Sequence, residues 1–213
     1  MFKLTGVKYK SYLDIPELVI RERRITTLVG PSGSGKTTLL KLLNKLIPPT
    51  SGRILFQGRD LAHLDSIEHR RQVVMLSQDP VVFAGTVRDN LNAGLLFRQQ
   101  PPEDDVALNS LLAQVKLDKP LDAPTDKQSG GEKQRLTLAR VMLLAPDVYL
   151  LDEPSSSLDE ATADFVHQML VRRVKAANRT MVIVTHARAV ADKYSDAVIR
   201  FTPGGVIDRV EEL

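Results

Sequence analysis

The sequence predicts an α/β chain, built on a mainly parallel sheet that helices cover on both faces. Three observations carry this. Short apolar runs of strand character recur and alternate with helix-period segments. Between about residues 86 and 145 the strand runs stop and helical periodicity takes over, which reads as an insertion into the sheet. The 213 residues are 43% hydrophobic and 26% charged, a globular composition that can bury a core and excludes disorder as the main state.

The elements follow in order. Residues 2–7 alternate apolar and polar, as a half-buried strand does. Residues 18–20 and 25–29 are short β-rich runs around a charged turn at 21–24. Lys36 to Leu46 reads as a helix, because Leu39, Leu40, Leu42, Leu43 and Leu46 fall on one broad face, and Pro48-Pro49 is expected to stop it. Residues 53–56 and 73–76 read as strands. The insertion is punctuated by Pro101-Pro102 and by Pro120 and Pro124. Residues 148–151 and 181–184 return to buried strands, with a helix over 160–177 between them. Two weaker strands, 197–201 and 206–210, flank the turn Pro203-Gly204-Gly205.

Composition excludes several function classes. There is no cysteine, so disulfides, thiolate metal sites and Cys nucleophiles are absent, which fits a reducing cytosol. Charge is 29 − 26 = +3, and the one basic cluster, residues 21–24, is broken by Glu22. With no Trp and 5% aromatics there is no base-stacking platform, and no nucleic-acid partner is expected. The longest uncharged run, Ile25–Gly35, contains Pro and Gly and is far shorter than the ~18 apolar residues of a membrane span. No apolar signal region follows Met1.

The chemistry concentrates in Gly30-Pro31-Ser32-Gly33-Ser34-Gly35-Lys36-Thr37, a full G-x-x-x-x-G-K-[ST] match between a predicted strand and a predicted helix. The glycines let the backbone curl so that successive N–H groups face phosphate oxygens. The helix N-terminus adds positive dipole. Lys36 can reach the β- and γ-phosphates, and the Thr37 hydroxyl can ligate Mg²⁺, with Thr38 beside it. Residues 148–151 then lead into Asp152-Glu153, which offers a metal-holding carboxylate and a general base for an attacking water.

These motifs indicate a P-loop NTPase. Gln128-Ser129-Gly130-Gly131-Glu132-Lys133-Gln134-Arg135 further resembles the LSGGQ signature of ABC-type ATPases, ahead of the Asp-Glu strand as in that family. Gln78 looks like the Q-loop glutamine, Ser156-Ser157-Leu158-Asp159 resembles the D-loop, and His186 looks like the switch histidine. The resemblance covers essentially the whole chain. It implies a RecA-like core with a mainly parallel sheet, an antiparallel N-terminal β-subdomain and a helical subdomain insertion. The expected boundaries are a core lobe at 1–85 and 146–213 and a helical subdomain at 86–145.

The resemblance also implies roles. Glu153, His186 and Lys36 would be catalytic. Thr37, Gln78 and Asp152 would hold Mg²⁺. ATP would lie between Gly30–Thr38 of one subunit and Ser129, Gly130 and Gly131 of another, in a head-to-tail homodimer or pseudo-dimer. Tyr9 is the favoured adenine-stacking aromatic and Tyr12 the alternative. Gln128 stands where the family has Leu and Glu132 where it has Gln, and neither position supplies phosphate contacts. Ser129 and Glu132 also have capping-box spacing.

A single cassette without a span implies a separate transmembrane permease, with the chain cytoplasmic and peripheral on the inner face of the membrane. The segment after Gln78 would form the groove for the permease's coupling helix. Val81, Val82 and Phe83 either floor that groove or pack inside the helical subdomain. Residues 83–91 and 129–135 are similar to small Fet-type ATPases linked to metal-ion export, which suggests efflux. The alternative is a soluble ABC-type ATPase acting in DNA repair or translation, although neither a long coiled-coil insertion nor a second cassette is present.

Overall fold

A computed structural model describes residues 1–185 and 188–213. The N-terminal strands β1 (Phe2–Tyr9) and β2 (Leu13–Ile20) pair antiparallel, and β1 also pairs antiparallel with β4 (Ser51–Phe56). With β5 (Arg59–Asp60) they form one sheet of order β2-β1-β4-β5. Strand β2 is longer than its apolar run suggests and carries Pro16, which an edge strand tolerates because no ladder donor is needed there.

The second sheet has the order β10-β9-β3-β8-β7-β6. Its members are β3 (Ile25–Val29), β6 (Val73–Leu76), β7 (Val148–Asp152), β8 (Thr180–Val184), β9 (Ala197–Phe201) and β10 (Ile207–Glu212). All neighbours from β9 to β6 run parallel, and only the edge strand β10 is antiparallel. Strands β3, β7 and β8 are buried along their whole length, as expected for a sheet covered on both faces.

Helix α1 (Lys36–Leu43) follows β3, α2 (Ser66–Gln72) precedes β6, and α6 (Glu160–Ala176) and α7 (Arg188–Tyr194) flank β8. Between β6 and β7 lie α3 (Val87–Phe97), α4 (Asp105–Gln114) and α5 (Gly130–Leu143). The large sheet separates two apolar cores. Val148 and Leu150 of β7 join Leu39, Leu43, Phe2 and Phe56 on one side. Tyr149 and Leu151 join Leu91, Leu111 and Leu138 of the inserted helices on the other.

Helix α1 is shorter than expected, and Pro48 does not end it. Lys45 adopts the left-handed conformation (φ 57°), with its N–H on the Leu42 carbonyl and the Leu46 N–H on the Lys41 carbonyl. This pair of hydrogen bonds is a Schellman close, which satisfies the last carbonyls before the prolines are reached.

Candidate functional site

Parallel α/β sheets bind ligands beyond the carboxyl ends of their strands. Here β3, β8, β7 and β6 are consecutive neighbours. Just past their carboxyl ends stand the phosphate loop, Thr185, Asp152-Glu153 and Gln78, respectively. The topology thus gathers onto one edge the residues that the sequence spreads over more than half the chain.

The phosphate loop, Gln78 and Glu153 wall a cavity of about 340 Å³, lined by residues 32–38 with Tyr12, Gln78 and Glu153. Helix α1 opens into it. Its N-cap, Gly35, is left-handed (φ 87°) and supplies no side-chain cap. Helices α2 to α6, by contrast, are all capped by a side chain: Asp65, Thr86, Asp104, Ser129 and Asp159. The first-turn N–H groups of α1 are therefore left for an anion.

Lys36 is 5% exposed, and its Nζ donates to the carbonyls of Gly30 (2.9 Å) and Pro31 (2.7 Å), with Ser34 Oγ at 3.4 Å. Burial lowers its pKa, and the charges of Glu153 and Asp152 oppose that shift. Gly30 (φ 150°) admits no side chain, since a Cβ there would stand 2.6 Å from the Phe201 carbonyl oxygen.

Asp152 is 1% exposed. Burial raises its pKa, the Thr37 hydroxyl hydrogen bond opposes the rise, and the nearby Glu153 charge adds to it. Its Oδ1 is buried without a hydrogen-bond partner among the described residues. A buried carboxylate oxygen with no donor beside a hydroxyl fits a hard divalent cation, which prefers oxygen ligands.

Glu153 has a left-handed backbone (φ 49°), a conformation that costs roughly 1–3 kcal/mol for a residue with a side chain and concentrates at functional sites. Its N–H is bound by the Val184 carbonyl at 3.1 Å, which ties the turn to β8. Gln78 Nε2 lies 3.4 Å from Glu153 Oε2, so the glutamine after β6 meets the carboxylate after β7.

Other expected residues lie elsewhere. Tyr12, 56% exposed, lines the cavity, whereas Tyr9 is partly buried and packs its ring against the first core. Ser129, Gly130 and Gly131 do not wall the cavity. Ser129 caps α5 with Glu132, whose carboxylate accepts from the Ser129 N–H at 2.8 Å while Ser129 Oγ accepts from the Glu132 N–H at 3.3 Å. Ser129 and Gly130 are exposed. His186 lies outside the described residues.

The segment after Gln78 divides. Val82 is partly buried and packs against the second core. Val81 is 60% exposed and Phe83 39%; Phe83 meets Phe97 edge-on at 5.8 Å, under the Arg140 guanidinium at 4.8 Å. Two buried side chains were not foreseen. Gln134 binds the loop after β7, and both polar atoms of the Gln128 carboxamide lack a partner among the described residues.

Comparison with known proteins agrees with this geometry. An ABC transporter family model matches residues 13–156. Protein STAR1 of Oryza sativa subsp. japonica is 38% identical over 197 residues, 92% of this chain, and the chain spans 55% of that protein's length. The probable iron export ATP-binding protein FetA of Escherichia coli (strain K12) is 38% identical over 184 residues, covering 86% of this chain and 81% of its own. The dimeric post-hydrolysis form of an ATP-binding cassette bound to ADP and phosphate superposes with a TM-score of 0.89 at 27% identity, covering 100% of this chain and 99% of that one. The chain therefore belongs to the ABC transporter family, as one of its ATP-hydrolysing cassettes.

Proposed function

We propose that the chain is the ATP-driven subunit of a transporter whose translocation path lies in a separate membrane protein. The observation that carries this is the meeting of the phosphate loop, Gln78 and Glu153 around one cavity, with Asp152 at the same sheet edge.

The chain's own groups define the chemistry. The N–H groups of residues 32–37 and the Lys36 ammonium take the phosphates, Lys36 exchanging its loop carbonyls for phosphate oxygens. Tyr12, rather than Tyr9, would flank the base, a reading supported by its lining the same cavity. The Glu153 carboxylate, held by Gln78, accepts the proton of the attacking water as the γ-phosphorus parts from its bridging oxygen and ADP leaves. Thr37, Asp152 and Gln78 would hold Mg²⁺, which supplies charge neutralisation at the β- and γ-phosphates. Ser129, Gly130 and Gly131 lie at a helix N-terminus that does not line this cavity and is exposed at Ser129 and Gly130, so they would serve nucleotide on a second subunit. His186 would contact the same γ-phosphate.

The permease would dock beside the edge strand β6. Val81, Phe83 and Phe97 expose apolar surface there, next to a 230 Å³ cleft that also involves Met75, Gly94 and Leu144. None of the described helices is long and apolar enough to cross a membrane. Export of a metal ion is the finer reading, supported by the likeness to FetA. Import cassettes for phosphonates and methionine are 34% and 35% identical, so direction and cargo would be set by the membrane partner.

The test is Glu153→Gln. The variant is expected to bind Mg-ATP, elute as a dimer in size-exclusion chromatography and turn over at least about a hundredfold more slowly. A monomeric variant with normal turnover would remove Glu153 from the role of base.

A further inference from the structure

Gln134 lies in the second turn of α5, is 2% exposed and directs its whole carboxamide at the turn that carries Glu153. Nε2 donates to the Glu153 carbonyl at 2.8 Å and lies 3.4 Å from Ser156 Oγ, while Oε1 accepts from the Ser157 N–H at 2.9 Å. The same Glu153 carbonyl accepts from the Ser156 N–H at 3.2 Å. One side chain therefore spans the turn and clips both of its ends. The turn needs a clip, because Glu153 is left-handed (φ 49°). Rotation of its peptide toward an ordinary conformation would swing the carboxylate away from Gln78 and out of the cavity. The approach of α5 is close as well: a Cβ at Gly131 would stand 3.0 Å from the Ser157 carbonyl oxygen.

We infer that Gln134 is a positioning residue for hydrolysis: it fixes the Glu153 peptide so that the carboxylate faces the nucleotide, and thereby joins the helix that begins at Ser129 to the hydrolytic site of the same chain. This rests on Glu153 being the base. Because Ser129 and Gly130 at the start of that helix are exposed, whatever they bind can act on Glu153 through a single buried carboxamide.

The experiment compares Gln134→Met, which keeps the volume and loses every hydrogen bond of the carboxamide, with Gln134→Glu, which keeps the acceptor for Ser157 and loses the donor to Glu153. Each is made alone and with Glu153→Gln, and the steady-state rate of Mg-ATP hydrolysis by the full chain is measured over a range of ATP concentrations. Both single variants are expected to lose roughly 10- to 100-fold in kcat with KM within about threefold. In the Glu153→Gln background neither should lower the residual rate further, because groups that act as a unit are not additive. Amide exchange at Ser157 should quicken in Gln134→Met whatever the turnover. An unchanged kcat in Gln134→Glu, unchanged exchange at Ser157, or the same loss in both backgrounds would each overturn the inference. Normal turnover by Glu153→Gln alone would instead remove the base assignment itself, and it is read on that variant without reference to Gln134.

Discussion

Asp152 is a carboxylate kept where charge is costly. Burial raises its pKa, so the folded state binds its proton more tightly than the unfolded state does. Stability tied to this group is therefore greatest at low pH and declines as pH rises through the raised value. Asp152→Asn keeps an oxygen for the Thr37 hydroxyl and removes the charge. Without nucleotide, its melting temperature should rise, by an amount matching about 1–3 kcal/mol. The additional rise on adding Mg-ATP should shrink. Thermal melts of both proteins with and without Mg-ATP check this, and a variant less stable than the parent in nucleotide-free buffer would contradict it. Gln128 is the neutral counterpart, with a buried carboxamide that has no partner among the described residues. Replacing it with Leu, of similar volume, should stabilise the fold by about 1–3 kcal/mol with turnover intact, as read by denaturant unfolding and an ATPase assay.

Among the elements, the helix expected over 160–177 was legible at both ends, whereas α1 closes earlier than its leucine pattern suggests. Thr86, Ser129 and Asp159 are recognisable caps, and each reaches an N–H three residues on. The ends of α1, α3, α4 and α6 are closed by left-handed Lys45, Gln99, Lys116 and Asn178, where the usual marker is glycine. No local signal announces a lysine in that conformation. The site divides in the same way. Residues 30–37 are a contiguous loop whose chemistry can be read directly, and Asp152-Glu153 ends a plain apolar run. Tyr12 against Tyr9, and Gln134 against the Glu153 turn, depend on contacts between distant segments, which spacing along the chain does not encode. The caps carry a pH dependence of their own. The Glu68 and Ile67 N–H groups hold Asp65 below the usual carboxylate range, and the Ser129 N–H does the same for Glu132. Their contribution is present above about pH 4–5 and is lost as pH falls through the depressed values. Asp65→Asn with Glu132→Gln should flatten the fall of melting temperature between about pH 5 and pH 3.

At the scale of the whole molecule, β7 works as a partition, with alternate residues facing two cores. The inserted helices do not own the second core, because Ile25, Leu76, Tyr149, Leu151 and Ile183 of the sheet belong to it. Leu91→Ala, in α3, should cost roughly 2–5 kcal/mol, and calorimetry should still show one transition, shifted down as a whole. A separate early transition for the helices would show that they fold alone.

The pairing of β3 also bears on how the protein is made. Thr26 of β3 lies between Val182 of β8 and Ala197 of β9, and the Ile25 N–H donates to the Asp196 carboxylate at 2.8 Å. Gly30, the first residue of the phosphate loop, abuts Phe201 at the end of β9. A ribosome releases the N-terminus first. The loop's residues therefore leave the exit tunnel long before the strands that hold them in shape. During synthesis the phosphate loop emerges before β8 and β9, the strands that flank its leading strand.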